Sequence, residues 1–172
     1  MSNNKTTSEI IADESESLEK AVIDLVRDKG LKIMTVESCT GGMVVSRLVN
    51  VPGASDVLEC SLVTYCDEAK AKLLNVNPDT LSKYTAVSAE TAEEMVKGPA
   101  VWNADVIIGV TGYASPCEDD SKSGLVYIAC NVCGDITVKE FKFSGSREEV
   151  RKAAATQALI LAKSCIYGHF SK

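Results

Sequence analysis

The stretch Leu31-Lys32-Ile33-Met34-Thr35-Val36-Glu37-Ser38-Cys39-Thr40-Gly41-Gly42-Met43-Val44-Val45-Ser46-Arg47-Leu48 decides the fold. Residues 31–36 are dominated by apolar and β-branched side chains and predict a buried strand. Residues 37–42 form a tight polar connection, and Gly41-Gly42 lets backbone bend sharply and approach another group closely. Met43 to Val49 then reads as a short, mostly buried helix, stopped by Asn50 and the Pro52-Gly53 turn. A strand that passes through a glycine turn into a helix is the repeating unit of α/β domains.

Outward from this unit the same alternation continues. Upstream, Leu18, Val22, Leu25 and Val26 recur at helical spacing, and Gly30 after Arg27-Asp28-Lys29 is a common helix stop. Downstream, residues 61–65 predict a strand, with Asp67 as N-cap of a helix through Leu74. Pro78 suits the first turn of another helix. Ser88 caps a longer one, from Ala89 to about Trp102, disturbed by Gly98-Pro99. Strands are expected over 105–111, 125–130 and 136–143, the last two joined as a hairpin at Gly134-Asp135. Ser146-Arg147-Glu148-Glu149 is a capping box that opens a final helix to about Tyr167. The fold expected is a three-layer α/β/α sandwich on a mixed β-sheet, in one domain over 15–170. The strand order is not readable. Residues 1–14 are expected to be a disordered acidic tail.

Composition sets the limits. The 172 residues carry 18 Lys+Arg against 24 Asp+Glu, a net charge of −6, and 45% are hydrophobic. Half of the negative excess falls in residues 1–20, so the body is nearly neutral and has no basic stripe for nucleic acid. No uncharged apolar run approaches the roughly 20 residues a bilayer requires. No basic start and apolar middle mark a signal peptide, so a cytoplasmic protein is expected. Seven cysteines are an odd number in a chain long enough to build a core, so reduced thiols are the default. Cys130-x-x-Cys133 lacks a second ligand pair and reads as buried or turn cysteines, with a metal or redox role as the lesser alternative.

Ligand sites in such sheets lie beyond the carboxyl ends of strands, which selects the loops 37–42, 65–70 and 111–124. In the first, Ser38 sits beside a helix N-terminus whose N–H groups can hold a phosphate or the oxyanion of an acyl transfer. A plain capping turn is the competing reading. A nucleophilic serine needs a base, and the only histidine, His169, lies near the C-terminus after Gly168, so a Ser-His-Asp triad is disfavoured. The second loop offers Tyr65 and Lys70. With Asp67 as N-cap, Lys70 stands in the first helical turn, where a cation is misplaced against the dipole. That field and desolvation both lower a lysine's pKa from about 10.4, the direction a general base requires. The competing reading is a lysine that snorkels into solvent beside Glu68 and Lys72. The third loop is long, polar and suited to covering a substrate, or is a surface excursion.

Together, Glu37-Ser38-Cys39-Thr40-Gly41-Gly42, Val63-Thr64-Tyr65-Cys66-Asp67-Glu68-Ala69-Lys70, Ala86-Val87-Ser88, Thr111-Gly112 and Phe143-Ser144-Gly145-Ser146-Arg147 resemble the CinA C-terminal domain family, the nicotinamide-nucleotide amidases. The resemblance runs over residues 16–166. It implies deamidation of nicotinamide mononucleotide to nicotinic acid mononucleotide and ammonia, with no metal and no cofactor. Ser38 resembles the nucleophile, Lys70 the general base and Tyr65 a third catalytic residue that orients or relays the proton. Substrate contacts are implied for Glu37, Cys39, Thr40, Gly41, Gly42, Thr111, Gly112, Ser115 and Arg147, as is a homodimer. Many family members carry a pyrophosphatase domain, for which 172 residues leave no room. The third loop departs from the family's glycine-rich pattern: Ser115 replaces a glycine, later glycines are missing, and Glu118, Asp119 and Asp120 add negative charge that repels phosphate unless it points away. A binding or regulatory module without turnover, or an amidase for another amide, are the alternatives.

Overall fold

The computed structural model describes residues 18–98, 104–115, 119 and 121–171. The acidic segment 1–14 and the helix end near Trp102 lie outside the described residues. Five strands form one sheet in the order β2-β1-β3-β4-β5. They are β1 (Ile33–Glu37), β2 (Leu58–Val63), β3 (Val106–Gly112), β4 (Leu125–Val132) and β5 (Asp135–Lys142). Strand β1 runs parallel to both β2 and β3, whereas β4 and β5 are antiparallel additions, so the sheet is mixed.

Helices cover both faces. On one side lie α1 (Leu18–Asp28), α2 (Met43–Leu48) and α6 (Arg147–Phe170), packed around Val22, Ile33, Ile108 and Leu159. On the other lie α3 (Asp67–Leu74), α4 (Pro78–Tyr84) and α5 (Ala89–Lys97), around Met34, Leu74 and Met95. Every residue of β1 is buried, since a strand between two neighbours and two helical layers has no wet face. This is the three-layer sandwich expected from the alternation of elements. Among the described residues no helix is long and apolar enough to cross a membrane.

Boundaries moved where tertiary contacts outweighed local signals. Strand β2 is Leu58–Val63 rather than 61–65, because its register against β1 pairs Val63 with Glu37 and ends there. Helix α5 stops at Lys97, and the Gly98 carbonyl accepts a hydrogen bond from Asn75 Nδ2 at 2.8 Å. The hairpin turn is Cys133-Gly134, one residue earlier than expected. Both residues have positive φ, at 51° and 96°, the type I′ geometry that matches the twist of the flanking strands. The capping box forms as read: Ser146 Oγ accepts from Glu149 N–H, and Glu149 Oε2 accepts from Ser146 N–H at 2.8 Å. Helix α6 continues through Gly168, which places His169 on its last turn rather than beyond it.

Candidate active site

Parallel pairing brings the carboxyl ends of β1 and β2 together. Thr64 N–H donates to the Glu37 carbonyl at 2.8 Å, and Ser38 N–H donates to Val110 O of β3 at 2.9 Å. Ser38 is thereby fixed at the point where β1 leaves the sheet. Helix α3 starts two residues beyond Tyr65. Its N-cap is Cys66, which makes no side-chain capping bond, so Asp67 is the first helical residue and not the cap. Lys70 reaches back from that first turn. Its Nζ donates to Thr64 O at 2.9 Å and lies 3.2 Å from Ser38 Oγ.

Lys70 is 1% exposed and Ser38 8%. Both partners of the amine are neutral. Burial therefore dominates and pulls the Lys70 pKa below its usual 10.5, with the Asp67 charge opposing. An uncharged amine has a lone pair to take a serine proton; an ammonium has none. Cys39, next to Ser38, goes the other way: burial pushes its thiol up to about 11, so it stays protonated at neutral pH.

The loop that frames Ser38 is held from two sides. Gly41 and Gly42 take left-handed conformations, φ 60° and 92°, and open α2. The fully buried Glu37 carboxylate accepts from Gly42, Val44 and Val45 N–H at 2.9, 3.2 and 2.9 Å, and from Thr35 Oγ1 at 3.0 Å. This corrects the expectation of Glu37 as a substrate contact: its oxygens are spent on the α2 N-terminus. It equally removes the free N–H groups expected there, since Gly41 N–H donates to Ser38 O at 3.0 Å. What remains is the backbone of Cys39 and Thr40.

Arg151 of α6 sets their direction. Its Nε donates to Cys39 O and its Nη2 to Thr40 O, both at 2.9 Å. No described peptide bond is cis, and in a trans peptide the C=O and the following N–H point oppositely. The Thr40 N–H thus points away from Arg151, and among the described residues it has no acceptor. The Thr40 and Thr64 hydroxyls are also buried without a partner. Unsatisfied polar groups are rare in native interiors and collect where a ligand completes them.

The other expected residues divide into two groups. Tyr65, Ser115 and Arg147 meet at the rim: Arg147 Nη2 donates to Tyr65 Oη at 2.6 Å and Nη1 to Ser115 Oγ at 2.7 Å. Tyr65 is 60% exposed, and among the described residues its hydroxyl bonds neither Ser38 nor Lys70. Thr111 is buried and donates to Ala86 O at 2.6 Å, a tie between β3 and the turn before α5. Gly112 ends β3 opposite Val126. Asp119 is exposed and partly neutralised within its own turn, by Ser121 N–H and Oγ and by Lys122 at 3.8 Å. Glu118 and Asp120 lie outside the described residues. Among the described residues no cluster of His, Cys, Asp and Glu could hold a metal ion.

Comparisons with known proteins agree with this architecture. The model of the CinA C-terminal domain matches residues 15–166. A CinA-like protein of Kosmotoga olearia is 45% identical over 147 residues, 84% of this chain but 36% of that protein. The chain therefore spans little more than a third of the curated relatives it matches. Two solved structures superpose over nearly their whole length. One is a CinA superfamily protein from Klebsiella pneumoniae, with TM-score 0.84, 31% identity and 88% and 97% of the two chains covered. The other is a competence or damage-inducible protein from Enterobacter asburiae, with TM-score 0.83, 32% identity and 95% and 99% covered. The chain belongs to the CinA C-terminal domain family.

Proposed function

We propose that this protein is an amidohydrolase that converts nicotinamide mononucleotide to nicotinic acid mononucleotide and ammonia. The observation that carries this reading is the buried Lys70 amine, with its lowered pKa, 3.2 Å from Ser38 Oγ. The Thr64 carbonyl takes one amine hydrogen and leaves the lone pair facing the serine. Lys70 accepts the Ser38 proton as Oγ attacks the carboxamide carbon. The Thr40 N–H, with the Cys39 N–H beside it, receives the developing oxyanion. Lys70, now an ammonium, returns its proton to the departing amide nitrogen, and ammonia leaves an acyl-Ser38 ester. The neutral amine then deprotonates a water that cleaves the ester and restores the serine.

Substrate identity rests on the rim. Arg147 opens the long helix α6, and a cavity of about 270 Å³ at that end is lined by Ser115, Ser123, Lys142 and Ser144. The Lys142 ammonium and the cavity's hydroxyls, with Arg147 beside them on Ser115, suit the 5′-phosphate. In this reading Tyr65 orients substrate together with Arg147 and does not relay the proton. The working form is taken to be a cytoplasmic homodimer without nucleic acid or membrane partners. The test is ammonia release across a panel of pyridine nucleotides, with Ser38→Ala as control. Release from nicotinamide mononucleotide that disappears in the variant supports the reading. Tight binding without product would favour a regulatory module of the same fold.

A further inference from the structure

Thr64 carries a hydroxyl that the proposed mechanism leaves unused. Thr64 is fully buried, and its Oγ1 is one of two buried side-chain polar atoms without a partner among the described residues. The strand register says where that hydroxyl lies. Glu37 of β1 pairs with Val63 of β2, and the bond from Thr64 N–H to Glu37 O at 2.8 Å makes Thr64 the cross-strand neighbour of Ser38. Successive side chains point to opposite faces of a sheet. Met34, Val36, Cys60 and Leu62 pack on the α3 side, whereas Glu37 turns to the N–H groups of α2. Ser38 and Thr64, each one residue further on, therefore share the α3 face, on strands about 4.8 Å apart. Lys70 reaches both residues, with Nζ 2.9 Å from Thr64 O and 3.2 Å from Ser38 Oγ.

Other acceptors around Ser38 already hold donors. Glu37 accepts from the α2 N-terminus, Cys39 O and Thr40 O from Arg151, Ser38 O from Gly41 N–H, and Thr64 O from Lys70. In an acyl transfer at Ser38 the leaving nitrogen must face Lys70, which protonates it, and Lys70 is tethered to Thr64. The nitrogen therefore departs on the side of the Thr64 hydroxyl, and a water that replaces it arrives on the same side. A buried hydroxyl without a partner costs stability, and a hydrogen bond from a bound group removes that cost.

We infer that the Thr64 hydroxyl accepts a hydrogen bond from the departing ammonia and then from the hydrolytic water, an assignment that rests on the amidase reading of Ser38. In acylation the C–N bond breaks as the nitrogen takes the Lys70 proton, and one N–H of the new ammonia points to Thr64 Oγ1. In deacylation the water oxygen bonds the acyl carbon and gives one proton to Lys70, while its second hydrogen is held by Thr64 Oγ1. The ester C–O bond then breaks, Ser38 Oγ takes the proton back from Lys70, and the acid leaves. The two steps depend on the hydroxyl unequally. The amide nitrogen is already placed by its covalent bond to the carbonyl carbon, whereas the water is placed by hydrogen bonds alone. Loss of the hydroxyl therefore slows deacylation more than acylation.

The test compares the full-length wild type with Thr64→Val, which keeps the side-chain shape, and Thr64→Ser, which keeps the hydroxyl. Each is mixed with nicotinamide mononucleotide and acid-quenched over time, and intact protein mass follows the formation and decay of the acyl adduct on Ser38. Thr64→Val should form the adduct at close to the wild-type rate and hydrolyse it roughly tenfold more slowly, the worth of one hydrogen bond. Thr64→Ser should behave as wild type. The urea midpoint of Thr64→Val should not fall, because no bond within the protein is lost. A lowered midpoint, equal slowing of both steps, or unchanged adduct decay overturns the inference and leaves the amidase reading standing. A wild type that releases no ammonia and never acylates Ser38 overturns both. Should Thr64→Val not fold, Thr64→Ala takes its place in the mass measurement.

Discussion

The floor of the candidate site and its rim are built on opposite terms. On the floor, Ser38, Lys70, Glu37 and the Thr40 backbone are buried, and most polar groups are committed to partners from β1, β2, α2 or α6. At the rim, Tyr65, Ser115 and Arg147 bond one another across an exposed surface, through long side chains free to exchange partners. Rigid burial shifts a pKa and fixes an oxyanion donor; exposure does neither but lets a charged ligand replace existing contacts. In the proposed amidase this difference would put chemistry on the floor and recognition at the rim.

Substitutions that break this division should differ in size and kind. Lys70→Met should have the largest effect, a fall of roughly 10²–10⁴-fold in kcat, the usual worth of a general base. Stopped-assay ammonia release measures it. Arg151→Met comes next. With Cys39 O and Thr40 O released, the Thr40 N–H loses its direction, and kcat should drop by about tenfold or more while KM hardly moves. An equal rise in KM would place Arg151 in recognition instead. Glu37→Gln should act on the fold. An amide cannot accept from three helix N–H groups, so unfolding should cost about 1–3 kcal/mol less by urea titration. Tyr65→Phe should have the smallest effect, a few-fold rise in KM at near-constant kcat, as expected of a group that only helps position ligand. A collapse of kcat there would move Tyr65 to the floor.

pH sharpens the same contrast. Lys70 has a folded pKa below 10.5, so the unfolded chain binds more protons between that value and 10.5. Stability contributed by this group therefore rises with pH across that window, and Lys70→Met should remove that part of the slope. Activity should rise through the lower end of the window as the amine sheds its proton. Variants at the rim should leave this limb unmoved.

The sequence disclosed the fold in proportion to how local each signal was. The β1–α2 unit, the α6 capping box and the alternation of strands and helices are carried by neighbouring residues, and all were legible. The order β2-β1-β3-β4-β5 depends on contacts between segments up to 73 residues apart, as between Ile33 and Val106, which no local pattern encodes. Lys70 stands out in the sequence because a cation at a helix start breaks a local rule, whereas Ser38 stands out by place, a hydroxyl that a buried strand delivers to a glycine turn. Arg151 carries a weaker signal, one turn after Arg147 on α6, and its role emerges only once α6 is packed against the Cys39 and Thr40 carbonyls. The resemblance implies a substrate contact for Glu37, whereas its folded-back carboxylate emerges only once α2 is placed.

One measurement addresses the central claim most directly: titration of the Lys70 side-chain amine by NMR in the folded protein, compared with the pH dependence of ammonia release. The account predicts an Nζ midpoint below 10.5 that coincides with the rising limb of activity, and that limb should vanish in Lys70→Met. A midpoint at or above 10.5, or activity indifferent to the charge on Lys70, would contradict it.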